Sequence, residues 1–369
     1  MSLKLTFIVA TLLLGPLSAL GAADGAKRIE LGPAETVLAD KALGLRYFPD
    51  GRLAVGRTRP DCRVLLAAGV SSFLLEGPAM GTFTKASKVL DKGEPGEFDN
   101  GYAGINAAVR AKPGELLAFY HAEDQEGMKT VGHGIPGFYG RVALAVSRDD
   151  GASFEKRGPV LSGRFAKDAT GPGDQGVGEP WVLAEPRGEF LYAYYTSHER
   201  VDGRGVQICM ARCPVADATR ADAWKKFHAG GFTEPGLGGK DTPVFTSGLS
   251  QADAVFPHVV FVPGLRQFMM TFCLNVWREA DNPKRSGIYA AFSHDGIHWL
   301  REPMQQLWKV PVVPAIGREL AWHPTYIPDG DGGMHGWLYY GYSESWGHPP
   351  SHKPHYLMRR RMTFVAGNP

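Results

Sequence analysis

Apolar runs interrupted by glycine, proline and charged residues recur along the chain at intervals of roughly 70 to 80 residues. Four copies share a polar approach, an apolar strand, a turn with glycine or proline, and an aromatic-rich strand that ends in polar residues. They cover residues 105–121, 179–198, 256–275 and 323–344. Because the apolar character is nearly continuous, each copy predicts a β-hairpin whose strands are covered on both faces.

A third strand of small and β-branched residues is predicted after each hairpin. These strands begin near Gly140, Gly205, Gly287 and His355. Two of them run into a Ser-x-Asp turn followed by glycine and an aromatic residue, at residues 147–154 and 293–299. Aspartate and glycine favour tight turns, and the aromatic residue anchors the strand that follows. We therefore interpret both motifs as structural turns that lead into a fourth strand.

A fifth, less regular copy precedes these four, with strand-like runs at residues 43–48, 52–55, 64–75 and 83–90. Repeated four-stranded units are typical of a β-propeller, in which neighbouring sheets bury each other's faces. Since the repeat is longer than the 40 to 50 residues of common propeller repeats, long loops are expected on one side. A pair of β-sandwiches is the rival architecture. The constant order of hairpin and third strand favours an all-β fold, a five-bladed β-propeller.

The first residues have the pattern of a secretory signal peptide. Lys4 precedes an apolar run at residues 5–14, and small residues follow as far as Ala22 and Ala23. This order predicts a signal peptide at 1–23, a single propeller domain at 24–369 and a secreted or periplasmic protein. No later run approaches the roughly 20 apolar residues of a transmembrane helix, so no membrane span is expected.

Charge and cysteine content narrow the range of partners. The chain has 40 Lys and Arg residues against 38 Asp and Glu residues, and this balance argues against nucleic acid as a partner. In an oxidising compartment the four cysteines could form up to two disulfides, with three pairings open. A zinc site needs more ligands at close spacing than Cys209 and Cys213 supply, so structural or free cysteines are expected. The four are Cys62, Cys209, Cys213 and Cys273.

Candidate binding residues gather at one end of the predicted propeller. If the first strand of each blade starts at the top of the central channel, the residues near its start lie at the top opening of that channel. The residues that follow the second strand lie at the same opening. The first group is Asp99, Asn100, Asn106, Glu179, Trp181, Asp253, His258, Trp322 and His323. The second group is His121, His198, Asn275, Trp277 and Glu344. Aromatic rings stack on sugar faces while carboxylates and amides bind hydroxyl groups, so this mixture predicts a carbohydrate partner.

The hairpin repeats, with acidic residues before the inner strands, resemble the five-bladed propeller glycoside hydrolases, the superfamily of arabinanases, xylosidases and fructan hydrolases. The resemblance covers nearly the whole chain after residue 23 as a repeat pattern. It implies three acidic residues on successive inner strands, and Asp99, Glu179 and Asp253 occupy comparable places. Their order departs from the Asp, Asp, Glu order of those enzymes, because the glutamate is second. The resemblance requires no cofactor and leaves room for a structural calcium ion held partly by histidine.

What the resemblance implies is a secreted glycoside hydrolase that cleaves oligo- or polysaccharides with a pair of carboxyl groups. One carboxyl group with a raised pKa protonates the departing oxygen, and an ionised one activates water or attacks the anomeric carbon. We assign Glu179 as the acid and Asp99 as the base or nucleophile, with Asp253 positioning the sugar and tuning Glu179.

Other functions stay open at this point. A non-catalytic carbohydrate-binding propeller would keep the tryptophans, with its carboxylates far apart or paired with arginines. A lyase would use a Tyr, His or Lys base, and His121, His198 or His258 would then matter most. A sialidase has similar Asp-containing turns but needs an arginine cluster that is not evident in this sequence. Each candidate residue also has a structural alternative, such as a turn at Asp99 or packing between blades at the tryptophans.

Overall fold

The structure, a computed structural model, describes residues 28–57, 61–112, 114–131, 135–171, 173–199, 205–246, 253–274, 287–299, 305–309, 318–330, 332–346 and 354–365. These ranges contain β-strands and short 3-10 helices but no α-helix, so the prediction of an all-β fold is confirmed. The 3-10 helices are Ala42–Gly44, Val215–Asp217, Ala221–Ala223 and Pro263–Leu265. No helix in these ranges is long and apolar enough to cross a membrane. The predicted signal peptide at 1–23 lies outside the described residues.

The strands fall into five groups in chain order, preceded by strand β1 (Arg28–Leu38). Sheet I contains β2 (Ala54–Arg57), β3 (Cys62–Ala68), β4 (Ser71–Gly77) and β5 (Lys85–Leu90). Sheet II begins with β6 (Tyr102–Lys112) and β7 (Glu115–Asp124). A separate ribbon, β8 (Thr130–Val131) with β9 (Ile135–Pro136), comes next. Sheet II is completed by β10 (Tyr139–Ser147) and β11 (Glu155–Ser162).

The remaining sheets follow the same plan. Sheet III contains β12 (Gln175–Ala184), β13 (Phe190–Ser197), β14 (Gln207–Pro214), β15 (Lys225–His228) and β16 (Gly231–Pro235). Sheet IV contains β17 (Ala254–Val262), β18 (Gln267–Leu274), β19 (Gly287–Ser293) and β20 (Gln305–Lys309). Sheet V contains β21 (Arg318–Pro328), β22 (His335–Trp346) and β23 (Tyr356–Val365). Strand β1 pairs with β23 and completes sheet V.

The four predicted hairpins correspond to β6 with β7, β12 with β13, β17 with β18, and β21 with β22. Pairing within each sheet is antiparallel. Sheets II and III are also joined by a short parallel pairing of β10 with β12, at Tyr139 with Gln175 and Gly140 with Gly176. Both Asp-containing motifs form turns after a third strand, where Ser147 donates to Asp149 at 2.7 Å and Ser293 donates to Asp295 at 3.0 Å.

The less regular first copy differs from its predicted strands. Residues 43–48 form the end of a 3-10 helix and a loop, because Leu43 and Tyr47 have positive φ. The predicted run 64–75 is two strands, β3 and β4, which turn at Gly69 with a φ of 62°. Glycine adopts this left-handed conformation without the clash of a Cβ atom, which explains the break in the run.

Apolar clusters join each sheet to its neighbours. Separate clusters of buried residues lie between sheets I and II, II and III, III and IV, and IV and V. A further cluster joins sheet V to sheet I, where Tyr339 and Leu357 pack with Val64 and Leu66. The first strands of successive sheets also contact one another from β2 to β21. Each sheet therefore packs against the next, and from sheet I to sheet V the first strands lie beside one another.

The first strands of sheets III, IV and V share a bulge at a residue that precedes proline. Glu179, Phe256 and His323 have φ values of 42°, 59° and 52°. The pairing register with the second strand shifts across each of them. Left-handed φ at such residues costs on the order of 1–3 kcal/mol, and a bulge turns a side chain out of the regular alternation of its strand. The three bulges therefore redirect three side chains at equivalent positions.

Candidate active site

A cavity of about 870 Å³ opens beside the first strands, and the side chains redirected by the three bulges line it. Segments of all five sheets, with the loops before them, contribute to its wall. Its ionisable lining residues are Asp50, Tyr102, His121, Glu123, Asp174, Glu179, His198, Asp253, His323 and His355, together with Tyr47. Phe138, Phe256 and Trp322 add apolar surface. Carboxylates, imidazoles and aromatic rings thus share one concave space, which is typical of a ligand site.

Contacts to the main chain hold the Glu179 bulge on both sides. The N–H of Glu179 donates to Nδ1 of His121 at 3.2 Å, and Nη2 of Arg52 donates to the carbonyl oxygen of Pro180 at 3.0 Å. The imidazole approaches so closely that a Cβ atom at Gly178 would lie 2.0 Å from Nδ1 of His121. Glycine is therefore required at that position.

The carboxylate of Glu179 is paired with an imidazole inside the cavity. Its Oε2 atom lies 3.3 Å from Nε2 of His198, and its side chain is 12% exposed. Burial alone raises the pKa of Glu179, but the imidazole of His198, 3.3 Å away, and that of His121 hold it well below its usual value. Glu179 is thus ionised at neutral pH, which differs from the raised pKa expected of a carboxylic acid donor.

The same contact acts on the pKa of His198. Burial lowers this pKa, but the charges of Glu179, 3.3 Å away, and of Asp174 raise it above its usual value. The ring of Phe138 packs edge-on against His198 with 5.2 Å between centroids. The structure therefore pairs an ionised Glu179 with an imidazole whose protonation that carboxylate favours.

A second pair of acid and imidazole lies at the start of sheet I. Asp50 precedes β2, and its Oδ1 atom is 3.8 Å from Nε2 of His323. The Asp50 side chain is 49% exposed, whereas that of His323 is 5% exposed. Burial lowers the pKa of His323 in spite of the opposing effect of Asp50. A neutral imidazole and a solvent-facing carboxyl group thus meet at this side of the cavity.

Three further carboxyl groups line the cavity. Glu123 accepts a hydrogen bond from Gln125 at 2.7 Å and lies 3.0 Å from Nε2 of His121. Asp253 accepts the main-chain N–H of Val206 at 2.8 Å. Asp174 is exposed as a whole residue. Partial loss of water from its carboxyl group raises the pKa of Asp174. The negative charges of Glu123 and Glu179 add to this rise, whereas the charge of His198 opposes it.

The structure brings a subset of the predicted site residues together. The subset that lines the cavity is Asn106, His121, Glu179, His198, Asp253, Trp322 and His323. The indole of Trp322 is fixed by a hydrogen bond from Nε1 to the carbonyl oxygen of Pro49 at 2.8 Å. Asn106 accepts the main-chain N–H of Arg52 at 3.1 Å. Both side chains thus bind neighbouring backbone as well as facing the cavity.

Asp99 and Asn100 are not among the residues that line the cavity. The Asp99 carboxylate is buried, 2.7 Å from Nζ of Lys156 on β11, and it accepts the hydroxyl of Tyr120 at 3.1 Å. Asn100 bridges two loops, donating to Asp124 at 2.9 Å. The geometry therefore gives no support for a catalytic role of Asp99, since its charge is paired elsewhere.

Trp181 and His258 lie outside the cavity lining and connect neighbouring sheets. Trp181 donates from Nε1 to the carbonyl oxygen of Val259 at 2.7 Å, and its ring centroid is 4.0 Å from that of His258. Nδ1 of His258 accepts the N–H of Tyr326 at 3.4 Å. Burial lowers the pKa of His258 well below its usual value, so this histidine is a neutral contact between sheets III, IV and V.

The side chains of the remaining predicted site residues lie outside the description. Asn275 and Trp277 lie outside the described residues. Glu344 belongs to β22, but its side chain lies outside the description as well. Their predicted roles in substrate binding remain predictions.

Sequence reasoning missed several lining residues. Asp50 belongs to the irregular first copy, where Asp-Gly between apolar residues resembles an ordinary turn. Tyr102 and Phe256 are aromatic residues within strand patterns, which are more often core residues. A signal was available for Phe256, because Glu179, Phe256 and His323 each precede a proline at the same place in the repeat.

Burial makes the cysteine thiols of this chain poor nucleophiles. All four cysteines are free and buried, and burial raises the pKa of each thiol, which makes the reactive thiolate scarce. Within the described ranges, no group of three or more His, Cys, Asp or Glu residues has a geometry that could hold a metal ion. The structural calcium ion that the sequence resemblance allows stays a prediction, and no chemical step is assigned to a metal.

No protein-family model and no curated protein matches this chain. Solved structures are similar to it over most of its length. A glycoside hydrolase covers 93% of this chain and 89% of its own, with a TM-score of 0.58 and 14% identity. An α-L-arabinofuranosidase from Lactobacillus brevis covers 88% and 91%, with a TM-score of 0.55 and 10% identity.

A third similar structure is an enzyme of another reaction class. It is an N-acetylgalactosamine deacetylase from F. plautii in complex with blood group B trisaccharide, which covers 89% of this chain and 96% of its own. The TM-score is 0.52 and the identity 13%. At such identities the likeness establishes the fold alone, because one fold supports many activities. This chain has the fold that these three enzymes share.

Proposed function

We propose that this chain is an exported glycoside hydrolase whose five sheets close into a five-bladed β-propeller. The cyclic order of the apolar clusters, from sheet I to sheet V and back to sheet I, supports closure. The pairing of β1 with β23 supports it too, because it ties the two ends of the described chain into one sheet. The glycoside hydrolases among similar structures favour this reaction class at the level of the fold.

One observation carries the enzymatic proposal: the ion pair of Glu179 and His198 shares a cavity with Asp50. Hydrolysis of a glycosidic bond needs a proton for the departing oxygen and an anionic group near the anomeric carbon. His198 supplies the proton, and Glu179 stabilises the imidazolium that holds it. Asp50 supplies the second group, since its carboxyl group faces solvent and accepts a water or a sugar without rearrangement.

The atoms balance in a simple scheme. The bond between the anomeric carbon and the leaving oxygen breaks, and that oxygen takes the proton from His198. In the direct geometry, water adds its hydroxyl to the anomeric carbon and gives its proton to Asp50, which passes it through solvent to His198. In the covalent geometry, Asp50 first bonds to the anomeric carbon; water then adds its hydroxyl to that carbon, the bond to Asp50 breaks, and the neutral His198 takes the proton of the water. Both geometries are established for such enzymes, and both restore the starting state.

The charge of the cavity favours a neutral sugar. Five carboxyl groups line it, and none of its described lining residues is lysine or arginine. An anionic sugar, such as a uronic or sialic acid, would be repelled by these groups and would lack a guanidinium partner. The proposal therefore favours neutral oligo- or polysaccharides and disfavours the sialidase alternative.

The test is release of reducing sugar from a panel of neutral polysaccharides and aryl glycosides, with wild type beside Glu179→Gln and Asp50→Asn. We expect each variant to lose at least 100-fold in kcat, in line with loss of a general acid or base, while binding the substrate. Acetate is measured in parallel on acetylated sugars. Sugar release by wild type and both variants alike would remove these residues from the mechanism, and acetate release alone would place the chain with the deacetylase.

A further inference from the structure

The bulges of sheets III, IV and V are held by a repeated contact from the preceding sheet. In sheet IV, the N–H of Phe256 donates to Oγ1 of Thr196 on β13 at 3.3 Å. In sheet V, the thiol of Cys273 on β18 lies at the equivalent place: it donates to the carbonyl oxygen of Ala321 at 3.9 Å, and the nearby N–H of His323 opposes the rise in pKa that burial causes at Cys273. A side chain near the end of a second strand thus accepts the N–H of the left-handed residue in the next sheet.

At the third junction the accepting side chain is His121. It lies near the end of β7, as Thr196 does on β13, and its Nδ1 accepts the N–H of Glu179 at 3.2 Å. Threonine and cysteine keep their acceptor at every ordinary pH. Histidine differs, because a proton on Nδ1 turns the acceptor into a donor. The sequence therefore places a titratable acceptor at the junction that fixes the candidate catalytic glutamate.

The surroundings fix which nitrogen of His121 carries hydrogen. Nε2 lies 3.0 Å from Oε1 of Glu123, and Gln125 holds the other oxygen of that carboxylate at 2.7 Å. A carboxylate accepts only, so Nε2 is the donor and Nδ1 is left bare for the Glu179 N–H. His121 is therefore neutral when both hydrogen bonds are made.

We propose that His121 is a positioning residue for Glu179: its neutral form holds the main-chain N–H of Glu179, and a second proton, taken up at Nδ1, releases it. The effect on catalysis rests on the proposed function, whereas the hydrogen bond itself does not. Release allows the strained bulge to relax, because the left-handed φ of 42° at Glu179 then lacks its restraint. The carboxylate of Glu179 then moves away from His198.

The charged groups around His121 decide when the second proton binds. Burial opposes uptake of this proton, whereas the negative charges of Glu179, Glu123 and Asp50 favour it. The charges outweigh burial, so the pKa of His121 lies above its usual value. His198 opposes it, since both imidazoles face the same Glu179 carboxylate. Asp174 also interacts with His121. Tyr102, whose ring centroid is 5.7 Å from that of His121, stays protonated because burial raises its pKa well above the usual value. Release is therefore expected as the pH falls through this raised pKa.

The first test does not need activity. The ¹⁵N chemical shifts of the His121 ring, measured on histidine-labelled protein and assigned with His121→Thr, report the state of each nitrogen. We expect Nδ1 to be bare and Nε2 protonated at slightly alkaline pH, with a second proton on Nδ1 as the pH falls. A ring with hydrogen on Nδ1 at alkaline pH would overturn the proposal, whatever the chain's activity.

The second test uses the acceptor that the chain itself has at the equivalent position. His121→Thr copies Thr196 and removes the titration, and His121→Ala removes the acceptor. On a substrate that wild type cleaves, we expect kcat/KM of wild type to fall at acidic pH and that of His121→Thr to lose this fall. His121→Ala should be at least tenfold less active than wild type at slightly alkaline pH, and this difference should shrink as the pH falls. An unchanged acidic limb in His121→Thr contradicts the inference, whereas an inactive wild type contradicts the proposed function instead.

Discussion

Arg52 is a buried cation that binds the peptide following Glu179, through its hydrogen bond from Nη2 to the carbonyl oxygen of Pro180 at 3.0 Å. Its Nε and Nη1 atoms make no hydrogen bond within the described part of the chain. Burial lowers its pKa to about 10, and the charge of Glu179 works against that shift. The guanidinium is therefore charged at neutral pH and acts on Glu179 through both its bond to Pro180 and its charge.

Arg52→Met should reduce activity more than stability. The lost hydrogen bond of a charged donor costs about 1.5–3 kcal/mol, but removal of a buried charge without a paired carboxylate offsets much of this. We expect urea unfolding to change by about 1 kcal/mol or less. We expect kcat/KM to fall at least tenfold, because the bulge loses one of its two restraints.

A matched control for this variant is Arg63→Met. Arg63 pairs with Glu76 at 3.1 Å and with Asp150 at 3.4 Å, and it does not line the cavity. Its replacement should alter unfolding slightly and leave kcat/KM unaltered. Equal activity of Arg52→Met and wild type would show that the bond to Pro180 does not position Glu179.

Asp99→Asn distinguishes the role as base or nucleophile that the sequence indicates for Asp99 from the pairing with Lys156 that the structure shows. The substitution removes the charge that pairs with Lys156 at 2.7 Å but keeps an acceptor for Tyr120. Breaking a buried pair by removing one charge is destabilising, and we expect a loss of about 1–3 kcal/mol in urea unfolding. Activity of the folded variant should stay within about twofold of wild type, because Asp99 does not face the cavity. A loss of turnover in folded protein would return Asp99 to the mechanism.

The repeat was predictable because its physical cause is local. Strands covered on both faces need nearly continuous apolar residues, and glycine or proline must break them. The hairpins around Glu179 and Phe256 satisfy both conditions, so their pattern leads directly to β12 with β13 and β17 with β18. Glu179 was found as a site residue for the same reason, since it opens one of these hairpins.

The residues that sequence reasoning misplaced depend on contacts between distant segments. Asp99 precedes β6 as predicted, but its carboxylate turns towards Lys156 on β11, which no local pattern indicates. Asp50 faces the cavity because it precedes β2, a strand of four residues in the irregular copy. Pairing of β1 with β23 joins residues more than 300 positions apart, so the completion of sheet V was also beyond a local pattern.

The pairing of Glu179 with His198 predicts a pH dependence of stability. The pKa of His198 is raised in the folded chain, so its contribution is complete below its unfolded pKa of about 6.5 and is lost as the pH rises through the folded pKa. The pKa of Glu179 is lowered, so its contribution is complete above about 4.5 and is lost as the pH falls through the folded pKa. Both contributions are present together between these two values.

A double-mutant cycle with Glu179→Gln and His198→Gln measures this coupling. In the His121→Thr background, where no second proton releases Glu179, we expect an interaction of about 1–3 kcal/mol in urea unfolding near pH 5.5 and a smaller one near pH 8.5. Gln keeps hydrogen-bonding capacity at both positions, so the cycle isolates the charge. A coupling energy that stays constant, or that grows as the pH rises, is the outcome that contradicts an imidazolium at His198.

Tyr47 is expected to bind a second sugar unit at the mouth of the cavity. It lines the cavity with 47% of its surface exposed, beside Val70, and its backbone has a left-handed φ of 50°. Its ring meets that of His355 edge-on, with 5.3 Å between centroids. A strained, exposed aromatic residue at a cavity mouth is suited to stacking on a sugar face. Tyr47→Ala should therefore weaken binding of oligosaccharides about tenfold, or roughly 1.4 kcal/mol, by calorimetry.

Two comparisons separate stacking from backbone strain in this prediction. Tyr47→Gly removes the ring and also relieves the left-handed conformation, so it should unfold no more easily than Tyr47→Ala while binding equally weakly. Tyr47→Phe keeps the ring face and should bind like wild type. The loss should also grow from a monosaccharide glycoside to a disaccharide, because the second unit makes the contact. A uniform loss at every chain length would instead mean that Tyr47 supports the inner part of the cavity.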